Sequence, residues 1–164
     1  DWLNQHYIKT TNAIDAFIYQ LRALGMDITQ GPSVFAVYDA QKERVKTLRE
    51  MAEKSRYFYE DAVEYDEAAV KKHLTDEAKD LLKSAALYFE KLSDWTQESL
   101  HQAIQAIAAA QGVKMGQLAQ PLRVAVTGNT VSPSIDLTLA LVGKERVMER
   151  LLSKQLEQPS AFSH

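Results

Sequence analysis

Hydrophobic side chains recur three or four positions apart along most of the chain. Because this spacing puts side chains on one face of an α-helix, each run predicts an amphipathic helix with that face in a core. The chain is therefore predicted to be all-α, folded as a helical bundle or cage. The main runs are Ile14, Phe17, Ile18, Leu21 and Leu24; Val34, Val37, Tyr38 and Val45, with Gln41 on the same face; Leu81, Ala85, Tyr88, Phe89 and Leu92; and Leu100, Ala103, Ile104, Ile107 and Ala108.

Residues that favour helix ends lie beside several of these runs. Thr47-Leu48-Arg49-Glu50 fits a capping box, in which a hydroxyl and a carboxylate accept hydrogen bonds from backbone N–H groups. A helix is therefore expected to begin at Leu48 and to direct three side chains inward: Met51, Ala52 and Ser55. The other predicted ends are the N-caps Asp66 (for a helix through His73), Thr75 and Thr96, and the stop residues Gly25 and Gly112.

The last third of the chain has a less regular pattern. Pro121 is expected to interrupt any helix that runs from Lys114, because proline removes a backbone donor. Residues 124–129 (VAVTGN) would also suit a β-hairpin, but an isolated two-stranded hairpin is only marginally stable. A short helix over residues 121–127, ended by Gly128, is the preferred interpretation.

Ser132-Pro133 favours another helix start, with the serine as N-cap and the proline as first helical residue. This helix is expected to reach about Val142. Gly143 then permits a turn before a last helix, whose inward residues are predicted to be Val147, Met148, Leu151 and Leu152.

The length of 164 residues suits two small subdomains, for which we predict residues 1–62 and 63–157, followed by a tail at 158–164. The chain contains no cysteine, which excludes disulfides, zinc ribbons and thiol catalysis. No apolar run approaches the ~20 residues that a membrane helix needs. The first residues have neither the basic nor the apolar segment of a signal peptide, and we interpret them as helix interior in a longer protein. We expect a cytoplasmic monomer that binds neither membrane nor DNA.

Charge is unevenly distributed along the chain, whose formal net charge is −3. Residues 39–56 carry six basic and four acidic side chains, residues 60–80 three and eight, and residues 123–157 five and four. The overall balance argues against non-specific nucleic-acid binding. A partner with phosphates would prefer the first and third stretches, although all three are also compatible with ordinary solvated surfaces.

The sequence contains no recognisable catalytic arrangement, so we predict no catalytic residue and no metal site. Its four histidines form no H-E-x-x-H or similar pair, and His73 with Glu77 is interpreted as an exposed pair. Its six glycines form no phosphate-binding loop. The chemistry expected of this chain is therefore recognition.

Arg123 and Ser132-Pro133 are the residues that best suit recognition. Arg123 stands among apolar residues, so its guanidinium is expected either to pair with a carboxylate of the fold or to contact a ligand such as RNA. The helix start at Ser132-Pro133 is either a simple cap or a site that favours anionic groups. Ile135 and Leu137 could support an unstacked base or pack in the core.

Short motifs in the last third keep a fixed order and spacing: GQL at 116–118, QPLR at 120–123, TG at 127–128, SP at 132–133 and GKER at 143–146. Further upstream lie ERVKTLREMA at 43–52, RYFY at 56–59 and WLNQHYI at 2–8. Together these motifs resemble the C-terminal, anticodon-binding part of bacterial glutamyl-tRNA synthetases, which are class I aminoacyl-tRNA synthetases. The resemblance covers nearly the whole chain.

This resemblance implies an all-α fold of two helical subdomains that recognises the anticodon of glutamate tRNA. It implies base contacts by Arg123 and by the segment with Ser132, Pro133 and Ile135. It also implies a contact with the first anticodon base by an arginine between residues 44 and 49, for which we favour Arg44 over Arg49. The side chains expected to hold RNA phosphates are Lys42, Lys46, Lys144 and Arg146.

The chain lacks the family's catalytic motifs, H-I-G-H and K-M-S-K-S, so ATP, magnesium and glutamate activation are expected in a catalytic domain outside it. The family often has threonine and glycine around the proline, where this chain has Ser132 and Ser134, so the RNA contact at Ser134 is expected to differ. The alternative functions are a protein-interaction scaffold that uses Tyr57-Phe58-Tyr59 and a truncated paralogue with another target.

Overall fold

The computed structural model describes residues 10–153, and every regular element in that range is an α-helix. The helices are α1 (Thr10–Ala23), α2 (Val34–Gln41), α3 (Leu48–Glu53), α4 (Arg56–Tyr59), α5 (Glu67–His73), α6 (Asp76–Glu90), α7 (Gln97–Gln111), α8 (Met115–Thr127), α9 (Ile135–Val142) and α10 (Lys144–Leu151). The described residues form two compact units, one ending at Ala62 and the other beginning at Val63. The sequence-based boundary lies at the same position, and the subdomain assignment itself stays a prediction. The tail predicted at 158–164 and the motif at 2–8 lie outside the described residues.

The first unit packs α1 against α2 and α3. Phe17 and Leu21 of α1 are fully buried, as are Val37 and Met51 of the two facing helices. Two polar side chains within this core are paired: the amide nitrogen of Gln41 donates to the Lys54 carbonyl oxygen, and the Ser55 hydroxyl donates to the carbonyl of Met51. Local apolar spacing therefore produces the helices, and a few side-chain hydrogen bonds join the segments between them.

Four of the predicted helix starts are confirmed. Thr47, Asp66, Thr75 and Thr96 each accept a hydrogen bond from the backbone N–H three residues later. The Glu50 carboxylate also accepts the N–H of Lys46, the residue before the N-cap Thr47. Each cap satisfies donors that the helix itself leaves unpaired, so these local motifs locate the helix starts independently of the tertiary fold.

The second unit is built around α6, α7 and α8, which contact one another in every pairing. The short helices cover this centre: α5 packs on α8, α9 lies against α7, and α10 contacts both α6 and α8. The predicted inward face of α7 is confirmed at all five positions, and Gly112 ends the helix with a φ of 68°. The fully buried large side chains of this unit are Leu82, Phe89, Leu100, Ile104, Leu118, Leu122 and Leu139.

The inward face predicted for α6 is wrong at three positions, one of which, Leu92, is partly exposed and lies past the end of the helix. Leu82 is buried where Leu81 was expected, and Tyr88 is exposed over 42% of its surface. The buried set is instead Ala78, Leu82, Ala85, Ala86 and Phe89. Both faces of this helix carry apolar residues, so spacing alone could not select between them. The contacts with α7, α8 and α10 decide which face is buried.

The prediction that Pro121 interrupts a helix is also wrong. α8 runs from Met115 to Thr127 with Pro121 inside it, and the hairpin considered for residues 124–129 is replaced by the helix and its end. Proline deprives the Gln117 carbonyl of its usual donor, which commonly breaks a helix. Here Pro121 is buried between Leu118 and Leu122, both with no exposed surface. Apolar packing along α8 offsets the lost hydrogen bond.

Candidate nucleic-acid interface

Arg123 lies half-buried on α8, with its guanidinium held at two of its nitrogens. Nε donates to the Ser132 hydroxyl at 2.8 Å, and Nη1 donates to the side-chain oxygen of Gln120. Gln120 precedes Arg123 by three residues, so both side chains project from the same face of the helix. We call Gln120, Arg123, Thr130, Ser132 and Pro133 the Arg123 cluster. It joins α8 to the loop that follows it.

Ser132 belongs to this cluster and is not the N-cap that the sequence predicts. α9 begins at Ile135, with Ser134 as its N-cap residue. The Ser132 hydroxyl instead donates to the Pro133 carbonyl at 2.7 Å and accepts from Arg123. The Thr138 hydroxyl lies 3.1 Å from the hydroxyl oxygen of Ser132. These local partners turn Ser132 and Pro133 into the fold, where both residues are buried.

The start of α9 is less favourable to anions than the sequence suggests. Asp136 lies in its first turn, and the carboxylate accepts the N–H of Leu137 at 3.0 Å. Burial tends to raise the pKa of Asp136, but hydrogen bonds from Ser134, Leu137 and Gln97 outweigh this effect and lower it. A carboxylate that stays ionised at the helix start repels phosphate. The backbone N–H groups at this helix start, which were predicted to attract an anionic partner, thus lie beside the negative charge of Asp136.

The loop between α8 and α9 presents an apolar side chain to solvent beside the Arg123 cluster. Val131 is exposed over 63% of its surface, whereas Ile135 is only 9% exposed. Of the two apolar residues considered as support for a base, Ile135 therefore lies mainly in the core, and Leu137 is partly exposed. Sequence reasoning missed Val131, although its place immediately before Ser132-Pro133 was a usable signal.

The last turn of α8 is held by side chains from distant segments. The Tyr65 hydroxyl donates to the Ala125 carbonyl at 2.8 Å, and Nη1 of Arg150 donates to the Val126 carbonyl at 2.9 Å. Burial raises the pKa of Tyr65, and the charge of Arg150 opposes that shift. Carbonyl groups at the end of a helix lack partners within the helix, and cations there are favourable. These two residues therefore hold the end of α8, where the loop between α8 and α9 begins.

Arg150 is a residue that sequence reasoning missed. It is 4% exposed and occupies a buried position on α10 beside Val147 and Leu151, both of which are buried as predicted. Met148 is only partly buried and Leu152 is 55% exposed, so those two predicted inward positions are wrong. The sequence signal for its burial was its position: Arg150 lies three residues after Val147 and directly before Leu151, so it falls on the inward face of the helix.

The first unit contributes the basic residues predicted near the first anticodon base. Arg44 and Lys46 are exposed in the turn between α2 and α3, and neither forms an ion pair with a described residue. Lys42 pairs with Asp39 at 3.3 Å. Arg49 pairs with Glu53 at 3.0 Å on the exposed face of α3. Of the two arginines considered for base contact, Arg44 is therefore the one that pairs with no carboxylate within residues 10–153.

Lys144 and Arg146 were predicted to hold phosphates. Nζ of Lys144 donates to the carbonyls of Glu90 and Leu92, at 2.9 and 2.7 Å. Those carbonyls flank the C-terminal end of α6, where a cation is favourable. Two of the three ammonium donors of Lys144 thus serve the fold. Arg146 is partly exposed on α10. The phosphate contacts of both residues stay predictions.

The aromatic segment considered for a protein-interaction scaffold is largely internal to the first unit. Phe58 is fully buried and Tyr59 is 3% exposed, while the ring of Tyr57 packs against Phe58 at a tilt of 46°, with ring centroids 4.3 Å apart. The interpretation of these three residues as a docking patch is therefore wrong. Within residues 10–153, no three metal-binding side chains lie together, and no helix is both long and apolar enough to cross a bilayer.

Comparison with known proteins identifies what this arrangement resembles. A family model described as "Anticodon binding domain" matches residues 7–154. Glutamate–tRNA ligase 2 of Coxiella burnetii strain Dugway 5J108-111 is 46% identical over 153 residues, and the alignment covers 92% of this chain. Glutamate–tRNA ligase 1 of Coxiella burnetii strain RSA 331 has the same identity over the same length. The chain spans 33% of the length of each of these curated relatives.

Solved structures agree on the fold. A glutamate tRNA ligase from Elizabethkingia meningosepticum, solved in complex with its amino acid, superposes with a TM-score of 0.82 at 23% identity. The match covers 97% of this chain and 32% of that one. A glutamate-tRNA synthetase from Elizabethkingia anophelis gives 0.77 at 24% identity, over 96% of this chain and 31% of that one. The predicted all-α fold of this type and the resemblance to glutamate–tRNA ligases are confirmed, and the chain belongs to the anticodon-binding domain family.

Proposed function

We propose that the chain binds the anticodon loop of a glutamate tRNA, as the anticodon-binding part of a glutamate–tRNA ligase. One observation carries this proposal: the anticodon-binding family match extends over residues 7–154, and the relatives at 46% identity are glutamate–tRNA ligases. Proteins usually recognise RNA sequence in single-stranded loops, where the base edges are accessible. An anticodon loop is such a target.

The proposed contacts divide into base recognition and phosphate binding. Arg123 offers a planar guanidinium, which suits base edges and base faces, and Val131 adds an exposed apolar surface beside it. Arg44 is proposed to contact the first anticodon base. Lys46 lies two residues from Arg44 and is proposed to hold a phosphate, which adds salt-dependent affinity.

The chemistry of aminoacylation is proposed to lie outside this chain. The described residues contain no group of three side chains that could hold a metal ion, and the sequence has no ATP-binding motif of the type found in these ligases. No reaction step is therefore assigned to the residues of this chain. A cytoplasmic location and a monomeric state are part of the same proposal.

A binding assay tests the proposed function. The chain is titrated into labelled glutamate tRNA and into a variant whose middle anticodon base is replaced, at about 50 and 200 mM salt. Tighter binding of the unaltered tRNA, with affinity that falls as salt rises, is the expected result. Equal affinity for both RNAs would refute anticodon recognition and favour a paralogue with another target. Binding that is indifferent to RNA and to salt would favour a protein-interaction scaffold.

Replacing Arg123 with alanine is expected to weaken glutamate tRNA binding by about 1–3 kcal/mol, because the guanidinium contacts a base. Affinity for the tRNA with the replaced base should change much less, so that discrimination between the two RNAs decreases. The titration above measures both values. An equal loss of affinity for every tRNA would exclude base recognition by Arg123 and leave it with a general electrostatic role.

Arg44→Ala is expected to reduce discrimination at the first anticodon base more than Arg49→Ala does. Arg49 already pairs with Glu53, whereas Arg44 pairs with no carboxylate in the described part of the chain. Titration with tRNAs that differ only at the first anticodon base measures this effect. Arg22→Ala, on the exposed last turn of α1, is the matched control for loss of one positive charge. A larger effect of Arg49→Ala would assign the contact to Arg49.

A further inference from the structure

We infer that Gln120 and Ser132 are positioning residues, which fix the guanidinium of Arg123 in one orientation and thereby set the preference for the anticodon. The inference rests on the proposed function, and it assigns a different role to Ser132 from the base contact implied by family resemblance. The observation behind it is the Arg123 cluster itself. Both side chains contact Arg123, and each also donates a hydrogen bond to a backbone carbonyl of the loop after α8.

The Ser132 hydroxyl is already engaged by partners within the fold. A hydroxyl offers one donor and two acceptor positions. Its proton is directed to the Pro133 carbonyl at 2.7 Å, and one acceptor position takes the Nε–H of Arg123 at 2.8 Å. The Thr138 hydroxyl lies 3.1 Å from the Ser132 oxygen and 3.0 Å from the Pro133 carbonyl, so its one proton is shared between these two acceptors. Ser132 is also only 8% exposed, so its hydroxyl acts on the RNA through Arg123.

Gln120 holds the other side of the guanidinium. Its side-chain oxygen accepts from Nη1 of Arg123, while its nitrogen donates to the Thr130 carbonyl at 3.4 Å. The amide is thus tied both to the arginine on its own helix and to the loop after that helix. Two contacts at different nitrogens of a planar group define the plane of that group. An arginine already ordered in this way loses less side-chain entropy when it meets a base.

The interaction of these residues with Arg123 can be tested by double-mutant cycles. The variants Ser132→Ala and Gln120→Ala are measured in the full chain with Arg123 present and with Arg123→Ala, against the two tRNAs described above. A residue that acts through Arg123 has an effect only when Arg123 is present. Each single variant is therefore expected to lower the discrimination ratio by about three- to tenfold, and neither should lower it further in the Arg123→Ala background.

Control variants separate positioning from a general loss of structure. Ser93→Ala makes the same change at an exposed serine between α6 and α7, and Gln105→Ala replaces a glutamine on the exposed face of α7. Both should keep the discrimination ratio. Ser132→Thr keeps the hydroxyl and should restore discrimination relative to Ser132→Ala. Circular dichroism melts identify the temperature range in which each variant is folded. Because Gln120 is partly exposed, Gln120→Ala tests the inference even if Ser132→Ala prevents folding.

Three outcomes would overturn the inference. Discrimination that survives both substitutions would show that Arg123 needs no support from them. Losses that add to that of Arg123→Ala would instead show direct contacts of Ser132 or Gln120 with RNA. In both cases Arg123→Ala would still reduce discrimination, so the proposed function would stand. If the unaltered chain does not distinguish the two tRNAs, the proposed function and the inference both fail.

Discussion

Gly128→Ala should destabilise the second unit by about 3 kcal/mol, the sum of a left-handed backbone conformation and a steric overlap. Gly128 ends α8 with a φ of 81°, which residues with a Cβ atom rarely adopt. A Cβ atom there would overlap the carbonyl oxygen of Glu64 and lie 2.8 Å from Cγ1 of Val63. The segment cannot retreat easily, since the N–H of Asp66 donates to the Gly128 carbonyl at 2.9 Å.

Gly112→Ala is the matched control for this experiment. Gly112 ends α7 with a φ of 68°, but no heavy atom lies within 4 Å of a Cβ atom added there. Its replacement should cost only about 1–2 kcal/mol, from the backbone conformation alone. Urea unfolding is followed by the fluorescence of Trp95, which packs against Phe89 in the second unit, in a Trp2→Phe background. Equal losses for the two variants would exclude the contact with Glu64 as a cause.

Arg150→Ala is expected to destabilise the same unit by about 3 kcal/mol or more, because it leaves both an unpaired carbonyl and a cavity. Arg150 is 4% exposed, and its Nη1 donates to the Val126 carbonyl at the end of α8. Water could reach that carbonyl only by entering the space vacated by the side chain. The midpoint of urea unfolding, again followed by Trp95, measures the loss.

Two further variants separate the contributions of Arg150. Arg150→Met fills much of the volume but cannot donate, so about 1–3 kcal/mol of the loss should remain as the cost of the unpaired carbonyl. Glu149→Ala, at the exposed neighbouring position, should change stability by no more than about 0.5 kcal/mol. Full recovery of stability in Arg150→Met would show that packing, and not the hydrogen bond to Val126, is what matters.

These two residues connect the stability of the second unit with the proposed recognition site. Gly128 begins the loop that leads to Ser132, and Arg150 holds the last turn of α8, the helix that carries Arg123. Neither belongs to the Arg123 cluster. We therefore expect that substitutions at both positions lower stability more than they lower anticodon discrimination in the protein that remains folded.

The candidate site was only partly predictable from sequence. Arg123 could be selected because a guanidinium among Leu122, Val124 and Ala125 needs a partner. The partners of Arg123 could not be predicted. Ser132 and Pro133 suit a helix start as well as the buried loop that is observed, so the sequence does not distinguish the two. Gln120 lies three positions before Arg123, but the helix predicted over residues 121–127 leaves Gln120 outside it.

By itself, the sequence determined the helices and most of their ends. Thr47, Asp66, Thr75 and Thr96 act within four residues of their own position, and the apolar spacing of α7 leaves one possible buried face. Only the tertiary structure decided which face of α6 is buried, that α8 continues through Pro121, and that Arg150 points into the fold. Each of these depends on atoms that are distant along the chain, such as the carbonyl of Val126 for Arg150. Local chemistry determines where a helix begins, whereas packing determines what its side chains contact.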